Sequence, residues 1–194
     1  MAKITAVIDI GSNSVRMQVF KRTSRFGFYL LNESKAKVRI SENCYQNSGN
    51  LQENATQRAE DAIGEFLSIA KHYQARKILC VATSALRDAP NKKIFLKRIL
   101  DKFKLNIKII DGNKEAYYGG VAALNLLPKK SGITIDIGGG STELTLLNEG
   151  KIVDTISFKM GTVRLKELFF DQGVDIEGAC DYVKAQLESL PEHF

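Results

Sequence analysis

The stretch that most constrains this chain is Ile133 to Leu147, ITIDIGGGSTELTLL. Ile133, Ile135 and Ile137 alternate with Thr134 and Asp136, the period of two expected of a strand. Three glycines follow, Gly138, Gly139 and Gly140, and Ser141, Thr142 and Glu143 then lead into a second apolar run. Glycines bare their backbone N–H groups and let an anion come close. A carboxylate at a strand end can hold a hard cation beside that anion. Strand, glycine turn and strand therefore read as a hairpin for phosphate and magnesium.

The same device occurs once before, in Ala6 to Met17, AVIDIGSNSVRM. Asp9 aligns on Asp136, Ile10 on Ile137, Gly11 on Gly138, Ser14 on Ser141 and Met17 on Leu144, an offset of 127 residues. An internal repeat governs every later reading. Here it predicts two lobes, each presenting one phosphate-binding turn to a shared cleft.

Periodicity supplies the rest of the outline. Strands are expected over 4–9, 14–22 and 26–33, the last through Phe26, Phe28 and Leu30. Helices are expected over 52–74, 92–103 and 113–127, with buried strands over 77–83 and 106–110 between them. Asn91 is placed to cap the second of these helices. Gly119 and Gly120 inside the third cost roughly 1 kcal/mol each in helix propensity and would permit close packing, or a joint. Pro128 to Gly132 is the linker candidate. The second hairpin follows, then a strand over 151–158 and helices over 161–170 and 175–190.

This order is that of an α/β fold with actin-like (sugar kinase, Hsp70, actin) ribonuclease-H-like lobes and a mixed sheet. Residues 1–127 make a complete first lobe, and 128–194 begin the same programme and stop about halfway. A half-built lobe leaves a sheet edge or an apolar face uncovered. Self-association, as a homodimer, or instability is the expected consequence.

Composition bounds the remaining classes. No apolar run approaches the ~20 residues of a membrane span, and the N-terminus lacks a signal peptide's long apolar region. Cys44, Cys80 and Cys180 are widely separated and carry no metal or disulfide spacing. A cytoplasmic protein with reduced thiols is expected, with no membrane partner. Net charge is +6 over 194 residues, of which residues 1–125 hold +10 and residues 126–194 hold −4. The basic first part suits a polyanion, and equally a solvated lysine-rich face. No GxxxxGK[ST] P-loop occurs, and no helix-turn-helix or finger spacing points to DNA.

Five segments together resemble the exopolyphosphatase / guanosine pentaphosphate phosphatase (Ppx/GppA) family. They are DIGSNSVRM (9–17), ATSALRDAPN (82–91), IIDGNKEAYYGG (109–120), TIDIGGGSTEL (134–144) and KMGTVRL (159–165), in the family's order. The resemblance covers essentially the whole chain, but only the N-terminal part of a typical member. It implies magnesium-dependent removal of the terminal phosphate of inorganic polyphosphate, guanosine pentaphosphate, or both. Glu115 lies where the family places the carboxylate that activates the attacking water, and Asp136 and Glu143 resemble its acids close to magnesium and that water. Asp9 is the matching metal-side acid of the first hairpin. Ser12, Asn13 and Ser14, with Gly138, Gly139, Gly140, Ser141 and Thr142, would donate to phosphate oxygens, and Arg87 would bind phosphate as a fixed fork.

Bland alternatives stand beside these roles. Glu115 could answer the helix dipole, Arg87 could be a loop arginine in water, and Arg164 could pair with Glu167 on the surface. Members usually carry further glycine-rich and basic segments in the second lobe that do not occur here, which bears on whether this polypeptide alone is active. Two other classes remain open: an actin-like-fold phosphotransferase with an acceptor pocket, and a non-catalytic module that binds nucleotide or polyphosphate.

Overall fold

The structure is a computed structural model that describes residues 3–25 and 27–194. Two compact units divide the chain, Met1–Ile109 and Ile110–Phe194. Each is built on one sheet.

In unit 1, β1 (Lys3–Ile10), β2 (Val15–Arg22) and β3 (Phe28–Ala36) form an antiparallel meander. Then come α1 (Glu53–His72), β4 (Lys77–Ala82), α2 (Ser84–Asp88), α3 (Lys92–Phe103) and β5 (Ile107–Ile109). The strand order is β3-β2-β1-β4-β5, with β4 parallel to β1 and β5 parallel to β4. This is the mixed sheet of an actin-like lobe. The expected start of the third strand at Phe26 lies outside the described residues. Alternate positions of β1 and β2 (Ala6, Ile8 and Ile10; Val15, Met17 and Val19) are fully buried. They share one core with Ala59, Ile63 and Phe66 of α1 and Phe95 and Ile99 of α3. The basic face of α3 is partly engaged in the fold. Arg98 forks onto Glu53 at 2.7 and 2.8 Å, and Lys102 Nζ donates to the buried Glu60 at 2.5 Å.

Unit 2 contains α4 (Gly112–Leu126), β6 (Gly132–Ile137), β7 (Thr142–Asn148), β8 (Lys151–Phe158), α5 (Thr162–Phe169) and α6 (Ile176–Leu187). The sheet is antiparallel, in the order β6-β7-β8. The compact units therefore divide at Ile109/Ile110 rather than after Leu127. The reason lies in α4, which packs on the second sheet. Thr145 Oγ1 donates to Ala116 O at 2.7 Å. A Cβ added to Gly120 would lie 2.6 Å from Thr145 Cγ2, whereas one on Gly119 would meet nothing within 4 Å. Of the two glycines only Gly120 serves close packing.

The repeat persists in three dimensions. Asp9 pairs with Arg16 across β1 and β2 as Asp136 pairs with Glu143 across β6 and β7. The second strand of each set carries a register irregularity, at Val19/Phe20 and at Leu146/Leu147, again 127 residues apart. Connections to the third strand differ. β7 and β8 are joined by Glu149 and Gly150, with φ of 49° and 77°, the left-handed pair of a two-residue hairpin. β6 is one of the two outer strands of its sheet, with Ile133, Ile135 and Ile137 exposed. Among the described residues no helix is long and apolar enough to cross a membrane.

Candidate functional site

Both glycine turns close by the same bond. Gly11 N donates to Ser14 O at 3.1 Å, and Gly138 N donates to Ser141 O at 2.9 Å. A Cβ at Gly138 would lie 3.1 Å from that same oxygen, so glycine is what lets the chain turn this tightly.

In unit 1 the expected residues gather at the carboxyl ends of the parallel strands β1 and β4, the edge where α/β sheets receive ligands. Asp9 is half-buried at the end of β1. Burial first, and the Asp9 charge second, push the Cys80 thiol up to about 12. Ser12 is buried, and its Oγ lies 2.9 Å from Ser84 Oγ at the start of α2. That contact ties the turn to the segment after β4. Asn13 is exposed and Ser14 half-buried. Arg87 is half-buried in the last turn of α2, a helix that reads as a turn in the sequence because it holds only five residues. Asn91 does not cap α3 with its side chain. Its amide instead exchanges two 2.9 Å hydrogen bonds with the backbone of Leu51.

In unit 2, Asp136 and Glu143 sit directly opposite on β6 and β7, and so project from one face of the sheet. Thr145, two residues beyond Glu143, holds α4 on that face. Ser157, the next cross-strand neighbour, donates from Oγ to Glu143 Oε1 at 2.7 Å. Sequence reasoning misses Ser157, because only the β7–β8 register reveals it. Glu143 is buried and Asp136 exposed. Glu115 occupies the first turn of α4, where the Asp111 side chain caps by accepting from Lys114 N at 2.7 Å. Ala116 lies over Thr145, and Gly120, one turn on, meets Thr145 and Ile152. Because Ile152 pairs with Leu147, α4 runs along β7 with its first turn toward the Glu143 end. Glu115, Asp136, Glu143 and the glycine turn thus belong to one end of one unit.

Three side chains depart from expectation. Thr142 Oγ1 donates to Met160 O at 2.5 Å, so this hydroxyl serves the fold rather than standing open to a ligand. Arg164 and Glu167 are both buried, and Arg164 Nε donates to Gly140 O at 2.7 Å. Neither side chain stands at the surface. Among the described residues, no group of three or more His, Cys, Asp or Glu converges. Magnesium commonly takes one or two carboxylates and completes its shell with water and substrate phosphate. The Asp136–Glu143 pair fits that mode and not an all-protein cage.

Residues 18–194 match the Ppx/GppA phosphatase family. Over 176 residues the chain is 36% identical to a bifunctional 3-dehydroquinate synthase/phosphatase of Fusobacterium nucleatum, covering 86% of this chain and 26% of that protein. It is 31% identical to a guanosine-5'-triphosphate,3'-diphosphate pyrophosphatase of Photobacterium profundum, covering 100% of this chain and 40% of that protein. The chain thus spans less than half the length of these curated relatives. An exopolyphosphatase structure from Cytophaga hutchinsonii superposes with a TM-score of 0.84 at 25% identity, over 95% of this chain and 61% of that one. A family member from Aquifex aeolicus gives 0.74 at 27% identity, over 97% and 61% of the two chains. By residue match, relatives and fold, the chain belongs to the Ppx/GppA phosphatase family.

Proposed function

We propose that this chain hydrolyses the terminal phosphoanhydride of inorganic polyphosphate or of guanosine pentaphosphate, with magnesium. The observation that carries the reading is the duplicated acid–glycine turn, closed by the same hydrogen bond at Gly11 and Gly138, with Glu115 at the same end of unit 2 as the second turn. The names borne by the Photobacterium and Cytophaga relatives support the same substrates. A cytoplasmic setting accords with three cysteines that form no disulfide among the described residues, two of them buried.

In this reading the half-buried Glu115 accepts a proton from water as the water oxygen attacks the terminal phosphorus. The new P–O bond forms as the bridging P–O bond breaks, and the shortened chain leaves on its oxygen. Phosphoryl transfer of this kind depends chiefly on positioning and charge stabilisation. Backbone amides of Gly139, Gly140 and Ser141 supply donors in unit 2. Asn13, Ser14 and Arg87 supply them in unit 1, where Ser12 holds the turn to Ser84. Asp136 and Glu143, and Asp9 in its own unit, would hold magnesium, which neutralises charge on the phosphate oxygens when bound.

The test is phosphate release from both substrates by this chain and by Glu115→Gln. Loss of a general base costs about 10²–10⁴-fold in rate, and a fall of that size in the variant is the expected result. Turnover that survives the substitution would remove Glu115 from the mechanism. Tight binding without turnover by the parent would favour a binding module instead.

A further inference from the structure

We propose that Gly161–Arg164, the entrance to α5, is a positioning element that sets which way the glycine turn faces. The inference rests on the phosphate-binding reading of that turn. In a trans peptide the carbonyl of one residue and the N–H of the next point in opposite directions. Holding a carbonyl at the back of a turn therefore aims the following N–H forward. Glycines have no side chains to impose this choice, and a carbonyl facing a phosphate would repel it.

The segment entering α5 imposes it from behind. Thr162 N donates to Gly138 O at 3.0 Å, and Val163 N donates to Gly139 O at 2.8 Å. Arg164 N adds a 3.0 Å bond to Gly139 O, and Arg164 Nε donates to Gly140 O at 2.7 Å. Three consecutive carbonyls are thereby held, and the N–H groups of Gly139, Gly140 and Ser141 are directed to the opposite side. The fit is close: a Cβ on Gly161 would lie 2.6 Å from both Gly139 C and Gly140 N.

Unit 1 uses the same arrangement independently. Its segment leaving β3 donates from Ser41 N to Ser12 O at 3.2 Å and from Arg39 N to Asn13 O at 2.9 Å. By the 127-residue offset Ser12 corresponds to Gly139 and Asn13 to Gly140. The Ser41 bond thus has its counterpart in Val163 N. The bond that Arg39 makes through its backbone is made in unit 2 by the Arg164 guanidinium. Arg164 is a positioning residue, acting on phosphate through the peptides that it orients.

The experiment follows backbone amides by NMR while this chain is titrated with imidodiphosphate, a non-hydrolysable phosphate chain, in magnesium buffer. The variants are Thr162→Pro, Gly161→Ala and Arg164→Met, with Leu168→Ala on the exposed side of α5 as control. Proline is tolerated at the first position of a helix. Gly161 already has the extended backbone, φ −149° and ψ 164°, that precedes proline well. Thr162→Pro thus deletes both Thr162 bonds to Gly138 O, from N at 3.0 Å and from Oγ1 at 3.3 Å, while leaving α5 intact. The parent is expected to shift the amides of Gly139, Gly140 and Ser141. Each variant is expected to bind roughly tenfold or more weakly, the order of effect of losing one or two well-aimed hydrogen bonds to a charged group. Leu168→Ala is expected to match the parent.

Parent amides that stay unmoved would overturn the phosphate reading of the turn, and the inference with it. Folded Thr162→Pro and Gly161→Ala variants that bind as the parent does would overturn the positioning role alone. A measurement on the parent covers variants that fail to fold. Scalar couplings across the Thr162–Gly138 and Val163–Gly139 hydrogen bonds are expected to persist with ligand bound, and their loss on binding would refute the proposal.

Discussion

At Cys80 the sheet's interior has a measurable consequence. Its thiol is buried between β1 and β5, near Asp9, and is raised from 9.0 to about 12, by burial first and the Asp9 charge second. Below the ordinary value the thiol is protonated in both folded and unfolded chains, so it gives no pH dependence. Between the two values only the unfolded chain can ionise, and stability falls as pH rises, by about 1.4 kcal/mol per pH unit for one proton. Urea midpoints at about pH 8 and about pH 10 should therefore diverge more in the parent than in Cys80→Ala. The cavity left by the substitution shifts both midpoints of the variant alike, so equal slopes would contradict the account. Single residues were also where the sequence was least legible. Asp136, Glu143 and Glu115 could be singled out because an acid beside a glycine turn, or in a motif, is visible in one dimension. Ser157 on Glu143, Ser84 on Ser12 and Met160 on Thr142 could not, because each partnership depends on register or on a loop's return.

Elements were far more legible, and α4 shows both the reach and the limit. Its glycines pointed to close packing or a joint, and its span was legible to within a residue at each end, but the Asp111 cap was not anticipated, because Asp111-Gly112 reads equally well as the end of a strand. Which sheet it packs on did not, because nothing in an apolar helix face names its partner. The two glycines give opposite expectations. Gly119→Ala meets open space and should stabilise by up to ~1 kcal/mol through helix propensity. Gly120→Ala brings a Cβ within 2.6 Å of Thr145 Cγ2 and should destabilise by about 1–3 kcal/mol, as overpacking does. Thermal midpoints of the pair decide the matter, and stabilisation by both would mean that α4 does not rest on β7. The hairpins were readable for a different reason. Turn closure, cross-strand register and even the register irregularity recur at 127 residues, so two copies of a weak pattern reinforced each other. α2 had no such help, since five residues are too few to display a helical period.

On the scale of the molecule, the repeat makes β1 and β6 equivalent and then gives them opposite fates. Ala6, Ile8 and Ile10 of β1 are each 0% exposed, with β4 paired in parallel along that strand's second edge. The residues at the same offset in β6, Ile133, Ile135 and Ile137, are 43%, 63% and 65% exposed, and β6 is one of the two outer strands of its sheet. A sequence written for a buried central strand therefore stands at an edge. Fully burying an isoleucine side chain is worth about 1.5–3 kcal/mol, and an apolar edge strand offers its unpaired N–H and C=O groups as a template as well. We accordingly expect this polypeptide to self-associate through β6, with a second copy covering the isoleucine stripe. Sedimentation velocity across a concentration series should show dimer growing at the expense of monomer, and Ile135→Lys should shift the balance back to monomer by placing a charge on the face to be buried. Glu115→Gln should leave association unchanged, since it alters neither the edge nor the stripe. A single monomeric boundary at every concentration, from a chain whose unit 2 is folded by amide spectra, would show that three strands and α4 suffice to hold this sheet in water.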